Sequence, residues 1–133
     1  MSGVAIVRYL LANNAGVTAQ VGASKIKAGD LPLNIVAPAI SVKQSGGTQR
    51  KTVAMASAKE QWTDKVQVEI TGLTYPSVKT ILRLVLDALP LSRGTINSYD
   101  CDSILAAATG PDLYDSATGL YSQIQDFDVV YNV

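Results

Sequence analysis

The stretch WTDKVQVEITGLTYPSVKTILRLVLDALP, residues 62–90, decides the fold. Its first part alternates. Val66, Val68 and Ile70 fall on one side, and Lys65, Gln67, Glu69 and Thr71 fall on the other. A period of two marks a strand with one buried face. The period then changes. Val78, Ile81, Leu82, Val85, Leu86 and Leu89 step by three and by one, which is a single stripe on a helix. Thr74 stands at the cap position, Pro76 suits the first turn, and Pro90 closes the element. Lys79, Arg83 and Asp87 take the opposite face.

Working outward, Val4, Val7, Leu10 and Leu11 recur at helical spacing, and Asn13-Asn14-Ala15-Gly16 reads as a stop, which predicts a helix over residues 3–14. Residues 17–22 add one further turn. Residues 25–29 suit a short strand, residues 30–38 with two prolines an extended link, and residues 39–43 a strand. The segment at about 44–61 reads as a long loop or arm, because it is too long for a tight hairpin. After the second helix, Arg93-Gly94-Thr95 reads as a connection and residues 102–108 as a short strand. Residues 112–119 read as a turn-rich linker and residues 121–133 as a long last strand. On that strand Phe127, Val129, Tyr131 and Val133 face one way, and Ile124 falls out of phase, which suggests a bulge or a change of face. The order predicts a single α+β domain over residues 1–133: a mostly antiparallel β-sheet with two main α-helices packed on it and a long hairpin loop or arm.

Composition excludes whole classes of chemistry. The chain has 133 residues, 11 basic and 11 acidic side chains, no histidine and one cysteine. Without histidine, the commonest general base and the commonest metal ligand are missing. A lone cysteine forms neither an internal disulfide nor a cysteine-rich zinc site. Charged residues are 17% of the chain, against roughly 25% in an ordinary soluble domain. Such a surface suits a protein covered by other subunits. No apolar run approaches the length of a membrane span, and no basic leader precedes the first apolar stretch.

The remaining motifs are weak as chemistry. Cys101 lies between Asp100 and Asp102, and two acids disfavour a thiolate. Asp100, Asp102, Asp112 and Asp115 match no cation-loop spacing and read as a solvated acidic segment. Gly46-Gly47 precedes no helix and no phosphate-binding lysine. No catalytic set, cofactor site or metal site is expected. An enzyme using Ser, Asp or Lys chemistry is the remote alternative, and a pocket with perturbed carboxylates would be its sign. Arg50 and Lys51 make the arm basic, and Val53 and Met55 beside them would be exposed in a free loop unless a partner covers them. Charge is also segregated. Residues 1–83 hold ten basic and four acidic side chains; residues 84–133 hold one and seven. Opposed flanks of this kind would draw copies together head to tail.

The same elements, in the same order, carry a resemblance. They are the helix at Val4–Leu11, then Val17-Thr18-Ala19-Gln20-Val21-Gly22, and the proline-containing link from Leu31-Pro32 to Ala37-Pro38-Ala39-Ile40. The strand Val66–Ile70, Thr74-Tyr75-Pro76-Ser77 with its helix, and a closing strand with Asp126-Phe127-Asp128-Val129 follow. The chain resembles the tail-completion or tail-terminator proteins of long-tailed bacteriophages. That resemblance implies a structural virion protein, not an enzyme, assembled in the host cytoplasm. It implies a homo-oligomeric ring, usually of six copies, on the head-proximal end of the tail tube. Its partners would be itself, the tail-tube protein and the head–neck connector. DNA would pass through the lumen without being read by sequence, and no membrane is involved. Arg50, Lys51, Val53 and Met55 are expected at a subunit or ring contact. Lys79 or Arg83 is expected to face Asp112, Asp115 or Asp128 of a neighbour. The alternative is another ring component, a tail-tube subunit or a neck adaptor.

Overall fold

A computed structural model describes residues 2–29, 36–50, 61–89, 94–96 and 99–132. Helix α1 spans Ser2–Ala12 and α2 spans Ala15–Gln20, followed by one 3-10 turn, Ala23–Lys25. Strands β1 (Ile26–Ala28), β2 (Ala39–Arg50) and β3 (Gln61–Gly72) lead into helix α3, Tyr75–Ala88. Strands β4 (Gly94–Ile96), β5 (Tyr99–Thr109), β6 (Leu113–Asp115) and β7 (Leu120–Asn132) follow. They form one seven-stranded sheet in the order β1-β2-β3-β7-β5-β4, with β6 also paired to β7. Only β1 and β2 run parallel; the other described pairs are antiparallel. The last strand is therefore central, between β3 and β5. The α+β reading holds.

Helices α1 and α3 lie on one face of the sheet. α1 packs across β1, β2 and β3, while α3 packs on β3 and β7 and touches α2. The alternation of β3 buries Val66, Val68 and Ile70, as its sequence requires. The helical stripe of α3 buries Val78, Ile81, Leu82 and Val85, and Thr74 caps the helix by accepting from the Ser77 N–H at 3.3 Å. Phe127 fills the middle of the core from β7 with no exposed surface. Full burial of such a ring contributes about 2–3 kcal/mol. The opposite face of β3 and β7 carries Lys65, Gln67 and Glu69 against Asp128, Asp126 and Ile124, none of them buried.

Four sequence expectations change. Residues 44–50 are not loop but a continuation of β2, paired with β3 out to Arg50–Gln61. A bulge at Ser45, between Gln44 and Gly46, keeps the ladder in step although the glycines give no alternation signal. The rest of the expected arm, residues 51–60 with Lys51, Val53 and Met55, lies outside the described residues. The connection at Arg93-Gly94-Thr95 holds β4, and the linker at 112–119 holds β6; both strands are too short for periodicity to reveal. Ile124 marks no bulge in β7, whose register against β3 is unbroken. The phase is intact and the polarity is inverted: Gln123 and Gln125 are buried while Ile124 stands on the outer face. The bulges are in β5 instead, at Asp102 and at Ala107–Ala108.

Candidate assembly surface

The expected contact residues fall in three places. Arg50 ends β2, with its backbone paired to Gln61. Lys79 and Arg83 lie on α3. Asp112 lies between β5 and β6, Asp115 ends β6, and Asp128 stands on the outer face of β7 between Lys65 and Leu105. The structure brings Lys79 and Asp112 together within one chain, Nζ to Oδ1 at 2.6 Å. Arg83 stands 4.0 Å from Asp87, one turn along the same helix. Asp115 accepts from the Ala117 N–H at 3.0 Å, which shapes the β6–β7 turn. These residues do not converge on one point.

Around Lys79 the sequence reading missed a tyrosine cluster. The Tyr75 hydroxyl donates to Asp112 Oδ2 at 2.8 Å, and the Lys79 ammonium stands 5.1 Å from the Tyr75 ring centre. Tyr121 meets Tyr75 edge-on at 6.2 Å and Tyr114 at 4.7 Å. Lys79 also donates to Gln123 Oε1 at 2.8 Å, and Gln123 Nε2 donates to the Gly110 carbonyl at 3.1 Å. The amide thus locks the ammonium to the strand break between β5 and β6. Hydrogen bonds from Lys79 and then Tyr75 hold the Asp112 carboxyl below its ordinary range, and the hydrogen bond to Asp112 raises the Lys79 ammonium. Leu73, Tyr75, Leu113 and Tyr114 are exposed in this same corner at 59%, 44%, 42% and 57%. An apolar patch held rigidly by polar bonds is the composition of a protein–protein contact. Its sequence signal was available: tyrosines and leucines placed in turn segments, where polar residues are the rule.

Charge is ordered across the sheet. α1, the 3-10 turn, β1 and β2 carry Arg8, Lys25, Lys27, Lys43 and Arg50, and residues 1–59 contain one acid, Asp30. Strands β5, β6 and β7 with their links carry Asp100, Asp102, Asp112, Asp115, Asp126 and Asp128, and residues 94–133 contain no basic residue. β3 lies between them with both signs. The segregation in sequence is therefore a segregation in space, along the direction in which strands stack.

Cys101 is fully buried; burial and then Asp102 push its thiol up, away from the reactive thiolate. An open groove of about 260 Å³ beside α1 is lined, among the described residues, by Val4, Ala5, Arg8, Tyr9, Ala12, Asn13 and Ala28, none of them acidic. Among the described residues no group of three or more acids or cysteines is placed to hold a metal. No described helix is long and apolar enough to cross a membrane.

No curated protein matches the chain. A chain from the virion of a native gene transfer agent particle has the same fold, with a TM-score of 0.70. It is 13% identical, and the match covers 98% of this chain and 94% of that one. The family model described as tail completion protein gp17 matches residues 5–132. The chain belongs to the tail completion protein gp17 family.

Proposed function

We propose that the protein forms a closed ring, of six copies, that caps the head-proximal end of a phage tail tube and joins it to the head connector. The observation that carries the ring is the order of charge across the sheet. A basic flank and an acidic flank on one subunit attract each other between copies and leave neither end satisfied until the ring closes. The mechanism is geometric: one rim matches the last tube ring and the other matches the neck, while DNA passes through the lumen. Segment 50–55, with Arg50, Lys51, Val53 and Met55, contacts a neighbouring subunit or ring. Arg83, Asp115 and Asp128 supply charge at subunit boundaries, and Lys79 with Asp112 braces the tyrosine patch that meets an adjacent protein.

Native mass measurement of the purified protein and electron microscopy of assembled particles test this reading. The expected result is one closed species, or two stacked rings, at the head end of the tail. Long filaments formed by the protein alone would identify a tube subunit instead. A strictly monomeric protein, in solution and in virions, would overturn the proposal. Replacing residues 52–58 by a short Gly-Ser turn should abolish head–tail joining while leaving the melting temperature unchanged. Unimpaired joining by that variant would remove the arm from the mechanism.

A further inference from the structure

Strand β5 leaves an edge open. β4 pairs only with Tyr99, Asp100 and Cys101, so among the described residues β5 has no outer strand from Asp102 to Thr109. Leu105, Ala106, Ala107, Ala108 and Thr109 are all exposed, Leu105 by 62%. Edge strands in native proteins are usually guarded by charge, by proline or by a covering element. Residues 103–109, SILAAAT, carry neither charge nor proline. The Ala107 carbonyl is turned inward, accepting from Gln125 Nε2 at 3.3 Å, so the strand is held in place although its outer side is bare. At the other end of the sheet, β1 has β2 as its only strand neighbour among the described residues. Between β1 and β5 lie β2, β3 and β7, four strand spacings of about 4.8 Å each.

We propose that residues 103–109 of one copy dock on the β1 flank of a second copy, so that the two sheets run on into each other. Asp126 and Asp128 beside the β5 edge then approach Arg8, Lys25 and Lys27 of the next copy. The occupant is chosen by charge. Pairing two β5 edges with each other would put acidic flank against acidic flank, which repels. Pairing β5 with β1 joins opposite signs and leaves each copy with one free edge of each kind, the geometry of a head-to-tail contact. This inference rests on the ring reading and names the contact that builds it.

Cysteine cross-linking tests it. Ala107→Cys and Lys27→Cys are made in separate, differently tagged chains, mixed, assembled and treated with a short bis-maleimide. Native Cys101 is fully buried and does not compete. The expected product is a mixed dimer joining the two tags, with little product from Ala107→Cys alone. Rings that form but give no mixed product, or that link Ala107→Cys to itself, overturn the contact and leave the ring intact. Absence of any oligomer at all would overturn the ring reading itself. A charge exchange gives a second readout. Asp126→Lys with Asp128→Lys, or Lys25→Asp with Lys27→Asp, should each weaken ring formation at least tenfold with unchanged circular dichroism. Each variant alone should fail, a 1:1 mixture of the two should close into a ring of alternating copies because every contact then joins opposite signs, and one chain carrying all four changes should close by itself. Failure of that chain to assemble, when it is folded, counts against the pairing.

Discussion

Asp64 is the residue on which several elements meet. It is 1% exposed and accepts from the Gly3 N–H and from the Tyr131 hydroxyl, each at 3.0 Å. It therefore ties the first turn of α1 to β3 and β7, and its negative charge sits at the positive end of that helix. Two glycines make room for it. A Cβ on Gly3 would lie 2.7 Å from the carboxylate, and one on Gly47 would lie 2.9 Å from its Oδ1. Asp64→Ala strands these donors in a buried site, so thermal unfolding should show a loss of about 2–4 kcal/mol, roughly 10 °C. Tyr131→Phe should cost about 1 kcal/mol. The residue was visible in the sequence only as an acid in phase with Val66, Val68 and Ile70; nothing local says that a helix N–H and a tyrosine arrive to meet it. At the surface, Asp112 makes a pH prediction. Its folded value is depressed, so its contribution is present above the ordinary carboxylate range and is lost as pH falls through the lowered value. Lys79 is raised, so its share persists below the ordinary lysine range and is lost as pH rises through the raised value. Carbon-detected titration should place Asp112 below its unfolded value, and Lys79→Met should return it most of the way. An unmoved Asp112 midpoint would dissociate the pair in solution.

Among the elements, β3 and α3 were legible because their own periodicity matched their burial. β7 was legible in extent but not in its polarity. Gln125 is 1% exposed and works at the second bulge of β5, accepting from the Thr109 hydroxyl and donating to the carbonyls of Ala107 and Asp126. A bulge removes ladder bonds, and this side chain replaces them. An inward polar residue on one strand answers an irregularity on its neighbour, and a single-strand reading has no access to that. Gln125→Leu fits the volume but takes the partner from the part-buried Thr109 hydroxyl and Ala107 carbonyl at the bulge. The expected cost is about 1–3 kcal/mol, with amide exchange at residues 107–110 speeding up before the rest of the sheet. Uniform protection across β5 in that variant would show that the bulge does not depend on the amide. The tyrosine corner gave a signal residue by residue but not as a unit, because Tyr75, Tyr114 and Tyr121 belong to three elements and only the fold assembles them. Replacing Tyr114, the most exposed of them at 57%, with serine should leave the fold standing and weaken attachment to the neighbouring virion protein.

At the scale of the whole molecule, the fold class and the charge split were legible, because both are sums over many residues. The direction of the split was not, since it depends on strand order. Ring formation driven by opposed flanks should weaken as salt rises, over the range where exposed charges are screened. Sedimentation at increasing ionic strength checks this; a ring indifferent to salt would shift the weight to the apolar edge. The central place of β7 has a further meaning in time. A ribosome delivers β3 and β5 before Leu120–Asn132, and both lack their shared neighbour until that strand emerges. A nascent or truncated chain has its basic part and its acidic part on separate leashes, with no common sheet to set them apart. The two opposed sides are set apart only once β7 has docked between β3 and β5, so in the proposed ring competence to join neighbours follows the docking of that one strand.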